Sequence, residues 1–166
     1  MNKCRIMGLD PGLRITGWGV IDCLDNQIKH VAHGRISPDS KMELSARLAV
    51  LFRELTTCIQ EYKPDEAAVE ETFVNVNPTS ALKLGQARGV ILVTPALLGL
   101  KVAEYAPNKI KKSVVGAGHA GKEQVMVMIR HLLPGAGELT PDAADALAVA
   151  VCHAHYRTTL KRWEAA

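Results

Sequence analysis

Cys4-Arg5-Ile6-Met7-Gly8-Leu9-Asp10-Pro11-Gly12 is the stretch that decides the fold: a short, largely apolar run that closes on an acid and a Pro-Gly turn. Apolar runs of this length bounded by Pro and Gly read as buried strands. Residues 17–23 make a second strand beyond the turn, and residues 27–36 a third after Asp25-Asn26, a fair hairpin signal. Loops this short join antiparallel neighbours, so the opening of the chain reads as a three-stranded meander.

Outward from there the period changes. Leu44, Leu48, Leu51, Leu55 and Ile59 recur at three- and four-residue spacing, as on one face of an amphipathic helix over residues 42–62, and Lys63-Pro64 ends it. Residues 66–69 form a strand. Residues 78–98 form a second helix in spite of Gly85 and Gly89, small residues that let another backbone come close, and residues 101–104 the last strand. After Pro107 comes a short helical turn, then helices over residues 122–133 and 141–157, separated by the loop Pro134-Gly135-Ala136-Gly137. Three strands followed by alternating helix and strand imply an α/β fold with a five-stranded mixed sheet and helices on both faces, the ribonuclease H-like arrangement. No repeat or low-complexity stretch interrupts it, so residues 1–157 read as one domain and the basic residues 158–166 as a flexible tail.

Bulk composition agrees with one domain. A chain of 166 residues with 48% hydrophobic content can build a core without disulfides or a structural metal. Cys4, Cys23, Cys58 and Cys152 are scattered, with no C-x-x-C pair and no histidine at zinc-finger spacing, so reduced thiols in a cytoplasm are the simpler reading. No apolar run of leader length follows Met1, and none approaches the roughly 20 residues of a membrane helix. A cytoplasmic protein without membrane attachment is expected. The net charge of +3 is only a weak basic lean. Lys109, Lys111, Lys112 and Lys122 fall in one region, and Arg157, Lys161 and Arg162 crowd the end. They form either a basic surface around an acidic pocket or ordinary solvated faces.

Four carboxylates carry the chemistry. Asp10 closes the first strand where a turn begins, a natural ligand position, although an Asp before Pro-Gly also bonds its own backbone in many turns. Glu70 and Glu71 end the fourth strand, where neighbours alternate faces, so only one of them points the same way as Asp10. Periodicity alone leaves that choice open. Asp142 and Asp145 lie one helical turn apart on one face, where two like charges repel. Asp142, just after Pro141, also suits a helix start, whereas Asp145 precedes the apolar run Ala146-Leu147-Ala148-Val149-Ala150-Val151 and is harder to assign to surface. A hard divalent ion prefers oxygen ligands, and two such ions about 4 Å apart can hold an attacking water and a leaving oxygen in line across a phosphate.

These residues also carry a resemblance. Residues 8–19, Gly-Leu-Asp-Pro-Gly-Leu-Arg-Ile-Thr-Gly-Trp-Gly, resemble the opening of the RuvC family of Holliday-junction resolvases, and Glu70-Glu71-Thr72-Phe73 is similar to its second acidic segment. Residues 80–89, Ser-Ala-Leu-Lys-Leu-Gly-Gln-Ala-Arg-Gly, resemble its most recognisable helix; residues 114–118 with Lys122, and residues 142–148, complete the set in order. The resemblance implies a magnesium-dependent homodimer, with two ions per subunit and manganese able to substitute, that resolves four-way DNA junctions by symmetric paired nicks in recombination and DNA repair. It further implies a partner complex with the RuvA and RuvB branch-migration proteins. By motif position the metal-binding acids fall on Asp10, Glu70, Asp142 and Asp145, and Phe73 is the aromatic that stacks on or parts bases near the cut. On its own Phe73 reads as core. Lys122 is implied as a catalytic and DNA-contacting lysine, Lys111 as a phosphate contact, and Lys83 and Arg88 as further DNA contacts, although all four read equally as solvated surface. The chain departs from the family pattern in the uncharged loop Val74-Asn75-Val76-Asn77 and in the charge at Glu71.

Two other readings compete. Gly116-Ala-Gly-His-Ala-Gly121-Lys122 nearly spells a phosphate-binding loop, but Glu123 stands where a hydroxyl would hold magnesium, and no opening strand immediately precedes it. A protein that binds junctions without cutting them is the second, and the intact acids argue against it. His153 and His155, two apart on one helix, point to different sides and read as core or surface rather than as metal ligands.

Overall fold

The computed structural model describes residues 3–12, 14–72 and 77–164, with side chains of the last helix described through Arg157 and at Thr159. Strands β1 (Lys3–Asp10), β2 (Thr16–Leu24) and β3 (Gln27–Ile36) form the antiparallel meander, the last hairpin closed by Asp25 at φ 52°. Helix α1 (Leu44–Tyr62) returns the chain to β4 (Glu66–Glu70), which pairs parallel with β1. Helix α2 (Pro78–Leu97) then leads to β5 (Lys101–Tyr105), parallel to β4. The sheet order is β3-β2-β1-β4-β5. Helices α3 (Pro107–Val115), α4 (Lys122–Leu132) and α5 (Pro141–Glu164) complete the fold, with a 3-10 turn at Pro134–Ala136.

Strand alternation divides the core in two. Met7, Leu9, Val20 and Val69 face one side and pack on Leu51, Leu55 and Ile59 of α1 and on Ala87 and Ile91 of α2. Cys4, Ile6, Ile21 and Ala68 face the other and pack on α3, α4 and α5, notably on Ile110, Ile129 and Leu147. Helix α5 lies against the strands with little between them. A Cβ on Gly8 would fall on backbone atoms of Ala146 and Ala150, and one on Gly17 on the carbonyl of Asp142. Glycine in these strands is what permits that approach.

The sequence expectation holds for the element order and for the five-stranded mixed sheet with helices on both faces. Two features differ. The segment after Pro107 is a nine-residue helix rather than a short turn, and α5 continues to Glu164 instead of ending at Arg157, so the boundary placed there falls inside a helix. Arg157 is not part of a free basic end: its Nε donates to both carboxylate oxygens of Glu66 at 2.8 and 2.9 Å. Among the described residues no helix is long and apolar enough to cross a membrane.

Candidate active site

Parallel pairing of β1 with β4 places Leu9 beside Val69, so Asp10 and Glu70 finish neighbouring strands at the same edge of the sheet. The pleat then sets their direction. Ile6 shares a face with Gly8 and Asp10, Ala68 shares one with Glu66 and Glu70, and both runs turn toward α5. Glu71 has the opposite parity, and its backbone N–H donates to the carbonyl of Tyr105 at 2.8 Å. The choice left open by periodicity therefore falls on Glu70. Helix α5 begins over this edge and brings Asp142 and Asp145 in its first two turns.

The acids press on one another. Asp10 and Glu70 lie close enough for each to act on the other's protonation. Burial pushes the Asp10 carboxyl well above the usual range, helped by Glu70 and Asp142 and opposed by Lys122. Glu70 is also raised: burial dominates and Asp145 adds to it, against Asp10, Lys111 and Lys122. Asp145 is pushed up to about 6 by burial first and then by Asp10, with Lys122 and Lys111 pulling the other way. Asp10, Glu70, Asp145, Lys111 and Lys122 line one cleft of about 260 Å³ whose remaining walls are Pro107, Ile110, Val125 and Ala148. Asp142 is not among the lining residues, but its charge acts on both Asp10 and Asp145.

The acids share oxygen donors only, a set suited to a hard divalent cation. Among the described residues no three Asp, Glu, His or Cys side chains already converge as a preformed cage. A shared proton between Asp10 and Glu70 is one way such a cluster relieves its charge; a cation between them is another.

Lys111 on α3 and Lys122, the first residue of α4, both line the cleft beside the acids. Two other expected DNA contacts do not reach the cleft. Lys83 lies on α2 beside a separate hollow that it shares with Gly12, Arg14 and Arg47, and the guanidinium of Arg88 is paired with Glu104 of β5. Phe73 lies outside the described residues. The apolar walls at Pro107, Ile110 and Val125 carry no signal in the sequence, where each reads as an ordinary helix residue.

A ribonuclease H-like sheet whose central parallel strands end in acids, faced by an acid-bearing helix and two lysines, defines the class of ribonuclease H-like nucleases. A family model described as "Crossover junction endodeoxyribonuclease RuvC" matches residues 6–153. Proteins of that name from Paramagnetospirillum magneticum and Rhodospirillum rubrum are 60% and 61% identical, over 95% and 92% of this chain and 95% and 90% of their own lengths. The structure of Thermus thermophilus RuvC in complex with a Holliday junction substrate superposes with a TM-score of 0.87 at 30% identity, covering 94% of this chain and 96% of that one. The chain belongs to the RuvC family of crossover junction endodeoxyribonucleases.

Proposed function

We propose that this protein resolves four-way DNA junctions by metal-dependent hydrolysis of two opposed strands, acting as a homodimer in cytoplasmic recombination and DNA repair. The observation that carries the reading is the cleft in which Asp10, Glu70 and Asp145, drawn from three elements, are all held above their ordinary carboxylate range while two lysines stand beside them. Acids so arranged are costly to the fold, and a divalent cation is the partner that turns the cost to use. Asp10, Glu70, Asp142 and Asp145 would hold magnesium, two ions per subunit, with manganese as a substitute. Bound there, the metal would supply a nucleophile at neutral pH and relief of charge on the leaving oxygen.

The chain's own groups do the rest. The Lys122 ammonium meets charge developing on the scissile phosphate, and Lys111 holds a phosphate of the same strand. Phe73 would stack on or part bases beside the cut. The apolar walls limit water around the reacting group. Two cuts need two clefts, and a two-fold dimer presents them symmetrically. Exposed Leu82, Val93 and Leu97 lie along one face of α2 with Gly85 and Gly89, where nothing stands within 4 Å of an added Cβ. Such a smooth apolar stripe suits a second copy of the chain. RuvA and RuvB are the expected branch-migration partners.

The test is incubation with a synthetic four-way junction and a linear duplex of the same sequence, with magnesium or with chelator. Paired symmetric nicks in the junction alone, and only with magnesium, are expected. Tight junction binding without cutting under any divalent ion would favour the non-cleaving alternative.

A further inference from the structure

Behind the acid cleft lies a second polar cluster that the reading above does not use. Glu66 opens β4, and its carboxylate accepts from Nε2 of His153 at 2.7 Å and from Nε of Arg157 at 2.8 Å, both on α5. Nδ1 of His153 lies 2.7 Å from the hydroxyl of Tyr105, the last residue of β5, whose backbone pairs with Glu70. Burial favours the neutral imidazole. With Nε2–H given to Glu66, Nδ1 accepts, and the Tyr105 hydroxyl donates to it. One histidine thus ties together the helix that carries Asp142 and Asp145, the strand that carries Glu70, and the strand that leads into Lys111.

The spacing makes this a register device. Glu66 and Glu70 are four strand residues apart, ~13 Å. Asp145 and His153 are eight helix residues apart, ~12 Å. Helix α5 runs back along β4, so closing the Glu66–His153 contact at one end brings Asp145 to Glu70 at the other. Between those two ends α5 meets the strands through Ala143, Ala146, Ala150 and Ala154, with Leu147 seated against Gly19, so the Glu66–His153 contact is the polar anchor that completes this fit at the end far from the acids. A slip of one residue would carry Asp145 by ~1.5 Å.

We propose that Glu66, His153, Tyr105 and Arg157 form a clamp that sets the position of α5 along β4, making them positioning residues for the acid cleft; the inference rests on the metal-dependent resolvase reading. The experiment compares Glu66→Gln, His153→Phe and Tyr105→Phe with the unaltered full-length chain, all well below their Tm. Three quantities are measured: Mn2+ affinity of the metal-free protein by calorimetric titration, junction affinity in chelator, and single-turnover cleavage at saturating metal. Glu66→Gln and His153→Phe are expected to bind Mn2+ about tenfold or more weakly and to cut about tenfold or more slowly, the usual consequence of misplacing a ligand through its support. Junction affinity in chelator should stay within about twofold, because no phosphate contact is touched. Tyr105→Phe removes a single oxygen and keeps the ring, so it reports on the clamp even where the other two fail to fold; a smaller loss in the same two quantities is expected. Variants whose Tm falls while Mn2+ affinity and cleavage rate stay those of the unaltered chain overturn the clamp. An unaltered chain that neither binds Mn2+ nor cuts junctions overturns the resolvase reading, and the inference with it.

Discussion

Replacing Asp145 with Asn should make the metal-free protein more stable at neutral pH while abolishing its cleavage. Asp145 is held at about 6 in the fold by burial and by Asp10. The same carboxyl in an unfolded chain titrates near ~3.9. A folded value raised above the unfolded one means that the protonated acid is the form the fold tolerates. Its stability is fully present below about pH 4 and is lost as the pH climbs through about 6. That displacement corresponds to an upper limit of ~3 kcal/mol, which water at the open side of the cleft screens to ~1–2 kcal/mol. Asparagine removes the charge and keeps the shape. In a domain of this size that gain is a Tm rise of about 3–6 °C at pH 8 in chelator, shrinking toward zero near pH 4. Thermal melts of both proteins across this range provide the check. Added magnesium should stabilise the unaltered chain, by ~2.7 kcal/mol at a hundredfold excess over Kd, and the variant much less. An Asp145→Asn variant no more stable than the parent at pH 8, or more stable by the same margin at pH 4, would refute the electrostatic reasoning.

Other perturbations separate the roles of individual residues. Asp10→Asn should bind junctions in chelator as the parent does yet lose on the order of a thousandfold in single-turnover cleavage, since several kcal/mol of charge stabilisation vanish; near-normal cutting would remove Asp10 from the mechanism. Lys122→Met should slow single-turnover cleavage by about a hundredfold or more while weakening junction binding only a few-fold, as measured by gel shift and quench kinetics. Gly8→Ala sets a methyl on backbone atoms of Ala146 and Ala150, so a loss of ~1–3 kcal/mol in urea denaturation is expected. Leu97→Asp, placed on the exposed stripe of α2, should shift sedimentation from dimer to monomer without lowering the stability of the fold by more than ~1 kcal/mol; an unchanged dimer would move the interface elsewhere.

Much of the fold was legible because its signals are local. Leu44 to Ile59 mark α1 by period, Asp25-Asn26 marks a hairpin, and Asp10-Pro11-Gly12 marks the end of a strand. The site was legible only in part, because its selection rules are long-range. Glu70 and Glu71 are equivalent until β4 is paired with β1 and the pleat registers Val69 against Leu9. Arg157 reads as one more basic residue near the end of the chain until Glu66, 91 residues earlier, is found beneath it. Arg88 reads as a free cation on a family helix until β5 brings Glu104 to it. Helix α3 reads as a mere turn because only Ile110 and Val114 are buried among its nine residues, too few to build a clear period.

The placement of the acids follows from how a fold can hold like charges together. Side by side on one flexible loop they would simply move apart. Here Asp10 and Glu70 stand on adjacent parallel strands whose spacing is fixed by backbone hydrogen bonds, and Asp145 stands on a helix pinned to those strands by Gly8, Gly17 and an alanine face. None of these elements can relax the repulsion without surrendering buried apolar contact, so the strain stays at the cleft, available to a cation. Lys111 and Lys122, which line the same cleft from α3 and α4, offset part of it. An enzyme that held metal here would give up stability at its site, and the two separate cores on either face of the sheet are what would carry the fold. That division also explains why Asp145→Asn should gain stability as it loses activity: the charge that destabilises the metal-free cleft is the charge that a bound cation would need.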